Sequence, residues 1–187
     1  DTLESRGLGD VYKRQSEYRV IAWDAPGYGN SALRNSTLAD YVATATGLLA
    51  ALNVEHANIL GHSMGGVIAQ GMAGSEGVEV DKLILSSTFM GHGEPLAEPL
   101  QAGYISRLDD ITSMSPEEFG RARAKSMLAS PPSEEIFQEV AKIASEVKKS
   151  GLLSACEVLN YSDTSPFLKG FTKPVLMPIS VIWASPK

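Results

Sequence analysis

The chain has 187 residues, 43% hydrophobic and 20% charged, with a formal net charge of −6. That length and balance suit one globular domain with an adequate core. No basic cluster and no apolar run near the roughly 20 residues of a membrane span are present, which argues against nucleic-acid binding and membrane insertion.

Residues 1–15 stand apart. Ser5-Arg6-Gly7-Leu8-Gly9-Asp10-Val11-Tyr12-Lys13-Arg14-Gln15 resembles one reading frame of an adapter used in sequencing libraries, so the stretch is set aside as a non-native scar. Its three acids (Asp1, Glu4, Asp10) balance its three bases (Arg6, Lys13, Arg14), leaving the charge of −6 to residues 16–187. Tyr18-Arg19-Val20-Ile21-Ala22-Trp23 reads as a buried strand and runs into the turn-rich Asp24-Ala25-Pro26-Gly27-Tyr28-Gly29-Asn30-Ser31. A helix is expected from Ser36 to Leu52. Thr37 and Asp40 have the spacing of a capping box, and Leu38, Tyr41, Val42, Ala45, Leu48, Leu49 and Leu52 form one apolar stripe.

A short apolar run, Ala57-Asn58-Ile59-Leu60, then reads as a strand and leads into Gly61-His62-Ser63-Met64-Gly65-Gly66. Val67 to Ala73 has helical character, and Asp81 to Thr88 reads as the next strand, running into Phe89-Met90-Gly91-His92-Gly93. Beyond Gly93 helix signals dominate. Ser115-Pro116-Glu117-Glu118 is a helix start, and Ser130-Pro131-Pro132-Ser133 is a break. A charged amphipathic helix is expected from Glu134 to Lys149, stopped by Gly151, and a short one from Leu152 to Leu159. Cys156, the only cysteine, reads there as a small buried apolar residue; it excludes an internal disulfide and fits a reducing, cytoplasmic compartment. The last strand expected lies within Lys173 to Ser185.

The chemistry concentrates at Ser63. A serine between two glycines, set between strand and helix, is the pattern of a nucleophile elbow. A sharp turn there strains the serine backbone and exposes its oxygen. Gly61 and Gly65 are expected to remove side chains that would collide around the turn, and Gly66 to let the helix lie close on the sheet. The backbone N–H of Met64, at a helix N-terminus, is the candidate oxyanion donor. No Lys follows in a G-x-x-x-x-G-K pattern, which removes a phosphate-binding loop from consideration.

These blocks resemble the α/β-hydrolase fold family, specifically its serine hydrolases with a helical cap. Asp24 to Ser31 matches the family's D-x-P-G-x-G-x-S loop after its fourth strand, Gly61 to Gly65 its elbow, Asp81 to Thr88 the strand after the elbow helix, and Lys173 to Ser185 its seventh strand. The resemblance implies an α/β fold, a mostly parallel sheet flanked by helices with an inserted helical cap. Residues 16–92 would form the first part of the core, 93–170 the cap and 171–187 a truncated seventh strand. Strands one to three and eight, the loop giving a second oxyanion donor, and the triad acid and histidine are all expected outside this sequence. The sheet would then be incomplete and the chain itself inactive.

A serine at the elbow points to cleavage of a small carboxylic ester, lactone or related carbonyl compound, with no cofactor and no metal. A carbon–carbon bond hydrolase or cofactor-free haloperoxidase of the same fold, and a non-catalytic ligand-binding member, stay open as alternatives. Phe89, Met90 and His92, with Met114 and Met127, are candidates to line the substrate pocket. Among the histidines only His92 follows Ser63 as the triad order requires, and a surface or cap-anchoring role suits it better. His62 is expected to pack within the elbow and His56 to be exposed; Glu94 is considered, and disfavoured, as a displaced acid.

Overall fold

A computed structural model describes residues 17–33, 37–128 and 132–177, which carry seven helices and three strands. In chain order they are α1 (Leu38–Ala51), β1 (His56–His62), α2 (Met64–Ala73), β2 (Glu79–Ser86), α3 (Ala102–Ser113), α4 (Pro116–Met127), α5 (Glu134–Ser145), α6 (Lys149–Tyr161), α7 (Ser165–Lys169) and β3 (Val175–Leu176). The adapter-like stretch and the segment around Trp183 lie outside the described residues.

The described chain forms two compact units. One comprises the described residues of 37–106 and 153–177 and holds the three-stranded sheet, ordered β1-β2-β3 and wholly parallel. Register runs from His56 opposite Glu79 to His62 opposite Ser86, with one irregularity between Ala57 and Asn58. Parallel strands need a crossover, and α2 supplies it between β1 and β2. Leu83, Leu85 and Ala69 are buried at the heart of this unit, with Ile59, Ala73, Leu168 and Phe171 around them. Each fully buried side chain of leucine size contributes roughly 1.5–3 kcal/mol.

Helix α1 starts at Leu38, the first residue of its apolar stripe. Thr37 is the N-cap, and its hydroxyl and the Asp40 carboxylate each accept the other's backbone N–H, as the spacing predicts. Tyr41, Val42, Ala45 and Leu49 form the buried face. Tyr41 is fully buried with its hydroxyl 2.7 Å from Ser154 Oγ, and burial pushes its phenol above the ordinary tyrosine range. Replacing Thr37 with alanine is expected to lower stability by about 1 kcal/mol, read as a shift of the urea midpoint.

The other unit comprises the described residues of 17–33 and 107–152. The helix start expected at Ser115 is the start of α4, where Ser115 and Glu118 close a capping box, and bonds donated by Ser115 hold the Glu118 carboxyl below its usual range. Phe119 and Ala124 of α4 and Ala141 and Ala144 of α5 are buried. At Gly120 the helices approach so closely that an added Cβ would lie 2.9 Å from Ser145 Cβ.

Two expectations are corrected in this unit. Tyr18 to Trp23 is neither a strand nor buried; it is irregular, and its residues are exposed or half-buried. A strand is defined by a ladder partner, and the described sheet contains only β1, β2 and β3. The loop behind it does form, as two successive turns closed by Tyr28 N to Ala25 O and Ser31 N to Tyr28 O. The second correction concerns Gly151. Helix α5 ends at Ser145, and Gly151 lies inside α6 instead of stopping α5. Its role is close approach: a Cβ there would lie 3.0 Å from the Gly27 carbonyl carbon. Lys148 reinforces the contact by donating to Gly29 O at 2.9 Å.

Candidate active site

Ser63 stands between the last residue of β1 and the first of α2 with φ +52° and ψ −122°. A side chain at positive φ costs on the order of 1–3 kcal/mol, and such strain persists only where neighbours over-determine it. Two bonds fix the peptide groups of Ser63 from outside its own loop. Its N–H donates to Ser86 O at 3.0 Å, and its carbonyl accepts from Thr88 Oγ1 at 2.7 Å. The side chain is exposed. Met64 is the first helical residue, so its N–H has no intrahelical acceptor and lies at the positive end of α2.

The glycines divide by role. A Cβ on Gly61 would lie 2.6 Å from Gly66 Cα, and one on Gly66 would lie 2.6 Å from Thr88 Cγ2. A Cβ on Gly65 would meet nothing within 4 Å, so the collision expected there does not exist. The turn is tight where strand meets helix and open on the side where Gly65 sits.

Each histidine has a partner other than Ser63. His56 Nδ1 lies 3.5 Å from Asp81, His62 Nδ1 lies 3.3 Å from Ser86 Oγ, and His92 Nε2 lies 3.2 Å from Tyr104 Oη. His56 is exposed as expected. His62 is also exposed and does not pack within the elbow, because side chains alternate along β1 and Gly61 takes the buried side. Glu94 is occupied: its carboxylate accepts from Gln101 Nε2 at 3.3 Å.

Phe89 and His92 do come together, ring centroids 4.8 Å apart, with Tyr104 5.9 Å beyond His92. Phe89 and Met90 are partly exposed. The loop carrying them is fastened from below. Gln70, buried on α2, donates to Phe89 O at 2.9 Å and accepts from Thr164 Oγ1 at 2.6 Å, while Thr164 N donates to Met90 O at 2.8 Å. The backbone N–H groups of His92, Gly93 and Glu94 add bonds to carbonyls of Leu159, Ser162 and Asn160. Met114 lines a pocket of about 200 Å³ with Ile111, Phe119 and Val147, and Met127 is exposed.

Sequence reasoning missed Thr88, Gln70 and Tyr104. Only Gln70 left a signal, as the one polar side chain inside Val67-Ile68-Ala69-Gln70-Gly71-Met72. Gln70→Leu removes the Gln70 donor from the Phe89 carbonyl and leaves the Thr164 hydroxyl only Met90 O, at 3.0 Å, and is expected to lose about 1–3 kcal/mol by urea denaturation.

The family profile described as alpha/beta hydrolase fold matches residues 6–121. Over 93 residues the chain is 36% identical to a dihydrolipoyllysine-residue acetyltransferase component of an acetoin cleaving system from Pseudomonas putida, covering 49% of this chain and 25% of that protein. Over 90 residues it is 37% identical to a 3-hydroxybutyrate-oligomer hydrolase from Cupriavidus necator, covering 46% of this chain and 28% of that one. The enol-lactonase from Burkholderia xenovorans LB400 superposes with a TM-score of 0.76 at 20% identity, over 91% of this chain and 65% of that structure, a likeness of fold. The chain thus spans about a quarter of the length of these two relatives. No helix among the described residues is long and apolar enough to cross a membrane.

Proposed function

The chain belongs to the alpha/beta hydrolase fold family, and from that premise we propose that the whole protein cleaves a small carboxylic ester, lactone or related carbonyl compound through an acyl-enzyme on Ser63. The observation that carries this reading is the backbone of Ser63: exposed, at φ +52°, and held at the mouth of a helix. Ser63 Oγ attacks the carbonyl carbon as its proton passes to a histidine. The negative charge that develops on the carbonyl oxygen is met by the Met64 N–H together with a second donor. The tetrahedral species collapses, the alcohol leaves with the proton, and water then releases the acid by the same route.

His56, His62 and His92 are each engaged elsewhere, so this reading assigns the base to a further histidine and the acid to a further carboxylate. Residues 93–170 act as a cap that excludes water and sets selectivity. No cofactor enters the scheme.

The test compares the whole protein with the 187-residue chain on p-nitrophenyl acetate and a small lactone. The whole protein should turn over both and carry a trapped acyl group on the Ser63 peptide by mass spectrometry. The chain alone should show no Ser63-dependent turnover above background. The engagement of all three histidines also favours a second reading, a non-catalytic ligand-binding protein. Binding of the ester without acylation in the whole protein would select that reading over the first.

A further inference from the structure

We propose that Thr88 is a positioning residue: its hydroxyl holds the Ser63 peptide in the positive-φ conformation that aims the side chain from the turn. Adjacent parallel strands leave the sheet in the same manner. β1 ends at His62 and is followed by Ser63 at φ +52°; β2 ends at Ser86 and is followed by Ser87 at φ +46°. With His62 opposite Ser86 in register, the second bend brings Thr88 beneath the first. Ser86 O then takes the Ser63 N–H at 3.0 Å and Thr88 Oγ1 donates to the Ser63 carbonyl at 2.7 Å, so both peptide groups of the strained residue are held by one three-residue segment.

The hydroxyl has one alternative acceptor, Phe89 O, at 3.4 Å, which is too long to compete. The Thr88 side chain also abuts Gly66, where an added Cβ would lie 2.5 Å from Thr88 Cβ. Strain at Ser63 requires such over-determination, and Thr88 is the side chain that supplies it.

The consequence for catalysis rests on the hydrolase reading, but the positioning itself can be measured without substrate or base. In the Ser63→Cys variant the introduced thiol reports its own environment. At a helix N-terminus its pKa falls below the ordinary value of about 8.5, and its alkylation by iodoacetamide near neutral pH speeds up accordingly. Cys156, 1% exposed, serves as an internal monitor of loosening. Adding Thr88→Val keeps the shape and removes the hydroxyl. The introduced thiol should then alkylate about 3- to 10-fold more slowly at pH 7, with its apparent pKa moved back toward the ordinary value. Adding Thr88→Ser instead, which keeps the hydroxyl, should stay within about twofold of the parent.

A valine variant that keeps the parent's rate and pH profile overturns the proposal. So does alkylation of Cys156 in step with the introduced thiol, because the effect would then be general loosening. If the thiol responds as expected while the whole protein shows no acylation of Ser63, the hydrolase reading fails and the positioning role of Thr88 stands.

Discussion

Ser63→Ala is expected to lower kcat/KM of the whole protein toward a small ester by at least about 10³-fold, with KM changed little. In the proposed acyl-enzyme reading, the loss comes from the nucleophile alone. Oxyanion donors and binding contacts survive the substitution, so some residual acceleration over water should remain, but no acyl-enzyme can form. Stability gives the matching half of the result. Alanine retains a Cβ at φ +52° and so retains the strain, whereas glycine does not. Ser63→Gly should therefore abolish turnover to the same degree and raise stability by about 1 kcal/mol relative to Ser63→Ala, measured by chemical denaturation. A glycine variant more stable than the alanine one would show that the positive-φ conformation is strained for any side chain, and strain kept there serves something other than folding. Ester turnover in Ser63→Ala within tenfold of the parent would remove Ser63 from the reaction. Equal stability of the alanine and glycine variants would remove the strain argument.

What the sequence disclosed divides along the range of the interactions involved. The capping box at Thr37 and the helix start at Ser115 need only residues three apart, and both form as read. The turn at Gly61 to Gly66 is likewise local: its glycines, its serine and the start of α2 lie within a few residues. β1 and β2 were legible from apolar runs bounded by turns, and their parallel pairing follows from the helix between them. Tyr18 to Trp23 has the composition of a strand, but strand formation depends on a partner that composition does not report. Gly151 shows the same limit, since a glycine placed to stop a helix and one placed for a close approach look alike until Gly27 is known to lie against it.

The same division runs through the site. Ser63 and Met64 could be proposed from the sequence because the turn that holds them is contiguous. Thr88 and Gln70 were missed because their partners lie 25 and 19 residues away and become neighbours only when β2 lies beside β1 and α2 packs on the sheet. His62 was misplaced for a subtler reason. Its position in the motif suggested packing, but the alternation of β1 gives the buried side to Gly61 and leaves His62 outward on Ser86. A motif names residue types, and the pleat decides which way each one faces.

The second large effect is expected from Gly61. An alanine there puts its Cβ 2.6 Å from Gly66 Cα, well inside van der Waals contact, and the obstacle is backbone that cannot rotate aside. Relief requires α2 to shift off the end of β1, which disturbs the bonds from Ser63 N–H to Ser86 and from Thr88 to the Ser63 carbonyl. Gly61→Ala should lose about 3 kcal/mol or more in a urea titration, at the upper end of what overpacking produces. Gly66→Ala meets the Thr88 side chain instead, 2.6 Å from Cγ2, and should lose less because that side chain can move a little. Gly65→Ala is the control. It lies within α2, its added Cβ would meet nothing within 4 Å, and it should be neutral or stabilising by about 0.5 kcal/mol through a less flexible unfolded chain. If the three glycines were retained only as a family signature, their substitutions would show no ordered dependence on the distances. The geometry demands the order Gly61, then Gly66, then Gly65. A Gly65→Ala loss as large as that at Gly61 would mean the turn is closed from a side the structure leaves open.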